Sequence, residues 1–210
     1  METLHHPKSR VRSKRSSRGR IHNAIENGNV FVVRTLLAMG MDTEELDSNG
    51  RTPLVHAIMK LQEAICKLLL DKGASSRDTN GWTPLASAAF KFNEDLCQFL
   101  VKKGCTLCLN TEQKVQLKPE LSCRIHLAAA GGYETALQLL LDMGADINER
   151  NSFGETALLE AVYNNQLSSV KILIGRGADA TISTHEGFSA LNMAVRGLTD
   201  SEMMRFLLMM

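Results

Sequence analysis

A single alanine-centred pattern recurs six times along the 210-residue chain, and no other feature constrains its fold so strongly. The anchors are Ala24, Ala57, Ala88, Ala128, Ala161 and Ala194, spaced by 33, 31, 40, 33 and 33 residues. Gly40, Gly73, Gly104, Gly144 and Gly177 follow the first five anchors at a constant offset of 16. Such self-similarity marks supersecondary units that stack on their neighbours, because one unit alone cannot bury its apolar face. A stack of this kind offers a long lateral surface, so binding is the expected activity.

The stretch from Gly50 to Gly73 shows why each unit folds as a helix pair. Thr52 is placed to cap a helix and Pro53 suits its first position, where a missing N–H costs nothing. Leu54, Ala57 and Ile58 share one helical face, and Leu61, Ile65, Leu68 and Leu69 mark a second helix running back. Gly73 can take the left-handed conformation that ends it. The same plan returns as Gly81-Trp82-Thr83-Pro84-Leu85, Gly154-Glu155-Thr156-Ala157-Leu158 and Gly187-Phe188-Ser189-Ala190-Leu191. The fourth unit reads Arg124-Ile125-His126-Leu127-Ala128, then Leu139-Leu140-Leu141-Asp142-Met143-Gly144-Ala145-Asp146.

These residues resemble the ankyrin-repeat signature T-P-L-H-x-A followed by a Leu-Leu, Gly-Ala-Asp stretch, from about Arg20 to Met210. The resemblance implies an all-α repeat solenoid of helix-turn-helix pairs joined by short β-hairpin loops. It also implies recognition of a protein partner, without a cofactor. The expected units are 20–49, 50–80, 81–121, 122–153, 154–186 and an incomplete 187–210, preceded by a disordered arm over 1–19.

The pattern departs from its period in three places. The link from Gly73 to Gly81 is two residues short, and Cys105–Cys123 is about seven long, which predicts an extended finger in the third unit. The last unit stops at Met210 with Met203, Met204, Phe206, Leu207 and Leu208 apolar and no polar cap. Truncation or a fragment, a masked end and a pairing interface are the readings of that end.

Net charge is +1, but residues 1–20 carry seven basic side chains against Glu2, leaving the rest at −5. The arm reads as a solvated tail, a nuclear-import or phosphorylation segment with Ser17 as the acceptor, or a nucleic-acid contact. An acidic repeat body argues against nucleic acid as the main ligand. No apolar run reaches membrane-spanning length, and five cysteines, with Cys66 and Cys97 inside predicted helices, fit a reducing interior. The expected location is intracellular, cytoplasmic or nuclear.

Motifs for catalysis are missing: there is no G-x-S-x-G, phosphate-binding G-x-x-x-x-G-K-[ST], or H-E-x-x-H. Cys105, Cys108, Cys123 and His126 have the composition of a zinc site. Against that, His126 occupies the signature histidine position and Cys123 the signature threonine position, where both serve the backbone. His22 shares the position of His126, which favours structural roles, whereas His56 is offset by one.

Phase from each anchor alanine gives the candidate protein-binding positions: Arg51, Met59, Lys60, Trp82, Phe90, Lys91, Phe153, Tyr163, Asn164, Phe188 and Arg196. In proteins similar to this chain, such positions lie on the first helices and hairpin tips of a concave face. Five of the chain's ten aromatics fall in this set, and aromatics and Arg carry much interface energy. Trp82, Phe90, Phe153 and Tyr163 are the expected anchors. The reading is a non-catalytic scaffold or adaptor, with a nuclear regulator of transcription or chromatin proteins as the alternative.

Overall fold

The computed structural model describes residues 19–75, 83–107, 109 and 111–209, and divides the chain into two units, Met1–Asn80 and Gly81–Met210. In the first, α1 (Arg20–Glu26) and α2 (Val30–Ala38) form one antiparallel pair, and α3 (Pro53–Met59) and α4 (Glu63–Asp71) the next. Helix α1 packs on α3 and α2 on α4, burying Ile21, Ile25, Leu54, Ile58, Ile65 and Leu69 completely.

The second unit contains α5 (Pro84–Phe90), α6 (Glu94–Lys102), α7 (Thr111–Gly131), α8 (Glu134–Asp142), α9 (Ala157–Tyr163) and α10 (Leu167–Gly175). It ends with the short α11 (Ala190–Met193), a π-helical turn (Ala194–Leu198) and α12 (Ser201–Leu208). Helix α8 packs on α5 and α6, and α9 packs on α7 and α11. No described helix is long and apolar enough to cross a membrane.

Every anchor alanine is buried, as close approach of stacked helices requires. The terminating glycines all have positive φ, and each closes the same double hydrogen bond. After α2, Met41 N–H reaches the Leu36 carbonyl and Gly40 N–H the Leu37 carbonyl, both at 3.1 Å. A second left-handed position lies four residues after the anchor, in the turn between paired helices. Gly28 and Gly132 fill it in two repeats, but Leu61, Phe92 and Asn165 do so in three others, at φ of 57°, 52° and 55°.

The loops differ from expectation. Among the described residues there is one isolated antiparallel bridge, Ser183–Ser189, and no hairpin ladder. Side chains replace the ladder. Asp47, Asn151 and Thr184 stand three residues before Gly50, Gly154 and Gly187, and each accepts backbone N–H groups two and four residues ahead. The extended finger expected in the third unit is also corrected. Residues 111–121 are helical and continue through Pro119 into the first helix of the next repeat, adding about three turns. Leu117 and Leu121 are buried, so the added turns gain an apolar face that a loop would lack.

At the C-terminal helix, Met203 and Leu207 face inward, Met204 and Phe206 are half-buried, and Leu208 and Met209 are exposed. The apolar run therefore gives α12 two core residues and leaves the others half-buried or open. The basic arm with Ser17, and the short link between Ser75 and Thr83, lie outside the described residues.

Candidate functional site

The second unit holds a cleft of about 580 Å³ lined by Phe153, Tyr163, Phe188, Glu155, Glu160 and Arg196, with Met193 among its remaining walls. Three local devices set it up. Asn151 folds the finger tip by accepting from Phe153 N–H at 2.9 Å and Glu155 N–H at 3.0 Å. Gly154 then turns at φ +78°, a left-handed conformation that favours glycine. Thr156 caps α9, which ends on Tyr163. Phe153 is left 71% exposed and Tyr163 58% exposed.

Two carboxylates share the cleft wall. The Asn151 side-chain amide donates to Glu155 at 2.9 Å and to Glu160 at 3.1 Å. Burial, and then the neighbouring Glu155 charge, push the Glu160 carboxyl above its ordinary value, while His126 acts in the opposite sense. On the other side, the Arg196 guanidinium sits over the Phe188 ring at 4.4 Å. Open rings, a carboxylate pair and one ring-stacked guanidinium give the cleft the chemistry to contact apolar and cationic groups.

Of the residues expected at the interface, Phe153, Tyr163, Phe188 and Arg196 converge in this cleft, and Asn164 lies beside it, donating to the Glu160 carbonyl at 2.8 Å. Phe90 is corrected: it is only 5% exposed, its ring covered by the Arg124 guanidinium at 4.5 Å. Lys91 next to it is exposed. In the first unit Met59 is partly open, Lys60 is paired with Glu26, and Arg51 is committed to Asp47 at 2.7 Å. Trp82 lies outside the described residues. Sequence phase missed Glu155 and Glu160, although Glu160 directly precedes the anchor Ala161 and is one turn from Tyr163.

Among the described residues, His22, His56 and His126 are bonded within the fold, and Cys66 and Cys97 are buried. His126 places Nδ1 2.7 Å from the Ser122 carbonyl and Nε2 3.1 Å from the Glu155 carbonyl, so either tautomer donates to a backbone carbonyl. Cys105 is buried and Cys123 exposed, and Cys108 lies outside the described residues. Burial pushes the thiols of Cys66 and Cys97 up to about 12, which leaves them unreactive at neutral pH.

Among the described residues, one group of metal-type donors converges, His22, Asp47 and His56, within 4.8 Å. Both oxygens of Asp47 are already bonded to Arg51, however. His22 joins the Glu45 carbonyl at 2.7 Å to His56 at 3.0 Å, and His56 reaches Glu26 at 2.9 Å. Burial pushes His56 down from its ordinary value, against the pull of Glu26. This network ties α1 to α3.

Comparison with known proteins places these features. A family model for ankyrin repeats in three copies matches residues 21–111 and 125–210. A putative ankyrin repeat protein of Rickettsia bellii is 36% identical over 75 residues, covering 35% of this chain and 31% of its own length. The mouse B-cell lymphoma 3 protein homolog is 29% identical over 184 residues, covering 85% of this chain and 41% of its own. The chain thus spans less than half the length of either relative. The crystal structure of an ankyrin repeat protein aligns with a TM-score of 0.55 at 26% identity, covering 91% of this chain and 98% of that one.

Proposed function

The chain belongs to the ankyrin-repeat family, and on that premise we propose that it is a non-catalytic adaptor that holds a protein partner on the aromatic cleft between α9 and the last helices. Repeats of this family generally mediate protein–protein interaction. The observation that carries the assignment to this face is the exposure of Phe153 and Tyr163 in one cleft with Phe188. Solvated aromatics cost free energy that a partner's apolar surface recovers, and such residues dominate measured interface energies. The basic arm over residues 1–20 supports a second reading, in which the adaptor acts on transcription or chromatin proteins after nuclear import.

One experiment addresses both readings. Proximity labelling in cells compares the full chain, a chain lacking residues 1–20, and the double variant Phe153→Ala/Tyr163→Ala. The adaptor reading expects a defined partner set that the double variant loses. Binding of a purified partner should weaken by about 2 kcal/mol or more with the helical spectrum unchanged. Unaltered labelling by the double variant refutes the face. A nuclear set lost with the arm supports the regulator, and a set indifferent to the arm refutes it.

A further inference from the structure

Cleft volume and open rings describe many binding surfaces, but the charge in this one is specific. Glu155 and Glu160 are half-buried on the same wall and share a single donor side chain, Asn151. Glu186 adds a third carboxylate at the exposed rim. Neither Glu155 nor Glu160 forms an ion pair within 4 Å among the described residues. Against these three negative charges the lining has one cation, Arg196, which is stacked on Phe188. Two carboxylates held close in a partly desolvated wall repel each other, and a cation placed there relieves that cost.

A second observation points to the same ligand chemistry. The unit already places guanidinium groups over rings, with Arg196 over Phe188 at 4.4 Å and Arg124 over Phe90 at 4.5 Å and Phe92 at 5.9 Å. Phe153 and Tyr163 line the same cleft as Glu155 and Glu160, and their exposed rings have no such cover in the described contacts. A cation above an aromatic face gains from the ring quadrupole, and more so where water is partly excluded. We propose that the cleft seats an arginine or lysine side chain of the partner protein, its charge against Glu155 and Glu160 and its stem or guanidinium plane against Phe153 and Tyr163. This deepens the adaptor reading and rests on it. The occupant is a cationic segment because an acidic one would meet three carboxylates and gain only the already stacked Arg196.

The test is selection of a random 12-residue peptide library on the purified full chain, repeated on Glu155→Gln/Glu160→Gln and on Phe153→Ala/Tyr163→Ala. The glutamine pair keeps size and an amide oxygen that can accept from Asn151, and its melting temperature should equal or exceed that of the parent because the carboxylate repulsion is gone. The expected result is peptides with Arg or Lys at one fixed register beside apolar residues. Their affinity should fall about tenfold or more on the glutamine pair and weaken as salt rises. Peptides that depend on Phe153 and Tyr163 but show no basic register, or bind the glutamine pair equally well, overturn the cationic seat and leave the adaptor reading standing. If no selected peptide depends on Phe153 and Tyr163, the face itself is wrongly assigned and the proposal falls with it.

Discussion

The finger clamp at Asp47 offers a quantitative check on how side chains replace a hairpin ladder in this protein. Asp47 accepts from Asn49 N–H at 2.8 Å and Arg51 N–H at 2.9 Å with one oxygen. With the other it accepts from the Arg51 side chain at 2.8 and 2.7 Å. Burial raises its pKa, but the Arg51 guanidinium and the two backbone donors outweigh that and hold it at about 2 against an ordinary 3.8. At about 1.36 kcal/mol per pH unit the difference corresponds to roughly 2.4 kcal/mol. Allowing for the 29% exposure of the Arg51 side chain, we expect Asp47→Asn to cost about 2 kcal/mol at pH 7.

The folded pKa lies below the unfolded one, so this stability is complete above about pH 4 and is lost as pH falls towards 2. Urea unfolding followed by far-UV circular dichroism reads the total. Hydrogen exchange of α3 amides reads the first unit separately, since repeat arrays need not unfold all at once. Adding Arg51→Gln to close a double-mutant cycle should return a coupling of roughly 1–2 kcal/mol. A loss below about 0.5 kcal/mol, or one that stays constant down to pH 2, would falsify the clamp.

Two further substitutions probe the repeat geometry. Ala161 has no exposed surface between α9 and its neighbours, so Ala161→Leu should overpack the stack and lower stability by roughly 1–3 kcal/mol in thermal unfolding; an unchanged melting temperature would show that the helices can separate freely. Leu61 is 53% exposed at φ 57°, so Leu61→Gly should relieve backbone strain and raise stability by about 0.5 kcal/mol net of the glycine's unfolded-state entropy, read as a higher urea midpoint. Phe92→Gly at the equivalent position should instead destabilise, because the Phe92 ring stacks on Tyr133 at 5.4 Å; shifts of the same sign would contradict the argument.

Much of the fold was legible in the sequence because its determinants are local. Alanine at the crowded contact, Thr-Pro at a helix start and glycine at a helix end act through backbone sterics and capping, which depend on neighbours within a few residues. Thr52, Thr83 and Thr156 all cap the helices their positions predicted. The turn position held by Leu61, Phe92 and Asn165 was not legible, because no residue type marks it. The surrounding bonds, such as Gln62 N–H to the Ala57 carbonyl at 3.0 Å, impose left-handed φ on whatever stands there. The helical continuation through Pro119 was hidden for a related reason: seven extra residues read as an extended finger until Leu117 and Leu121 find an apolar surface to cover.

The candidate site divides along the same line. Phase along the chain was enough to place Phe153, Tyr163, Phe188 and Arg196 on comparable positions, since a strict repeat converts sequence offset into spatial offset. It put Phe90 on that surface too, and only the tertiary structure shows Arg124, 34 residues away, covering it. Likewise Glu155 on a finger and Glu160 on a helix become one carboxylate pair only when Asn151 bridges them. Sequence by itself determined the helix pairs and their repetition, because steric and capping preferences are short-ranged. Tertiary structure decided which side chains stay open and which charges meet, because exposure and electrostatic coupling are set by whatever the fold brings within a few ångströms.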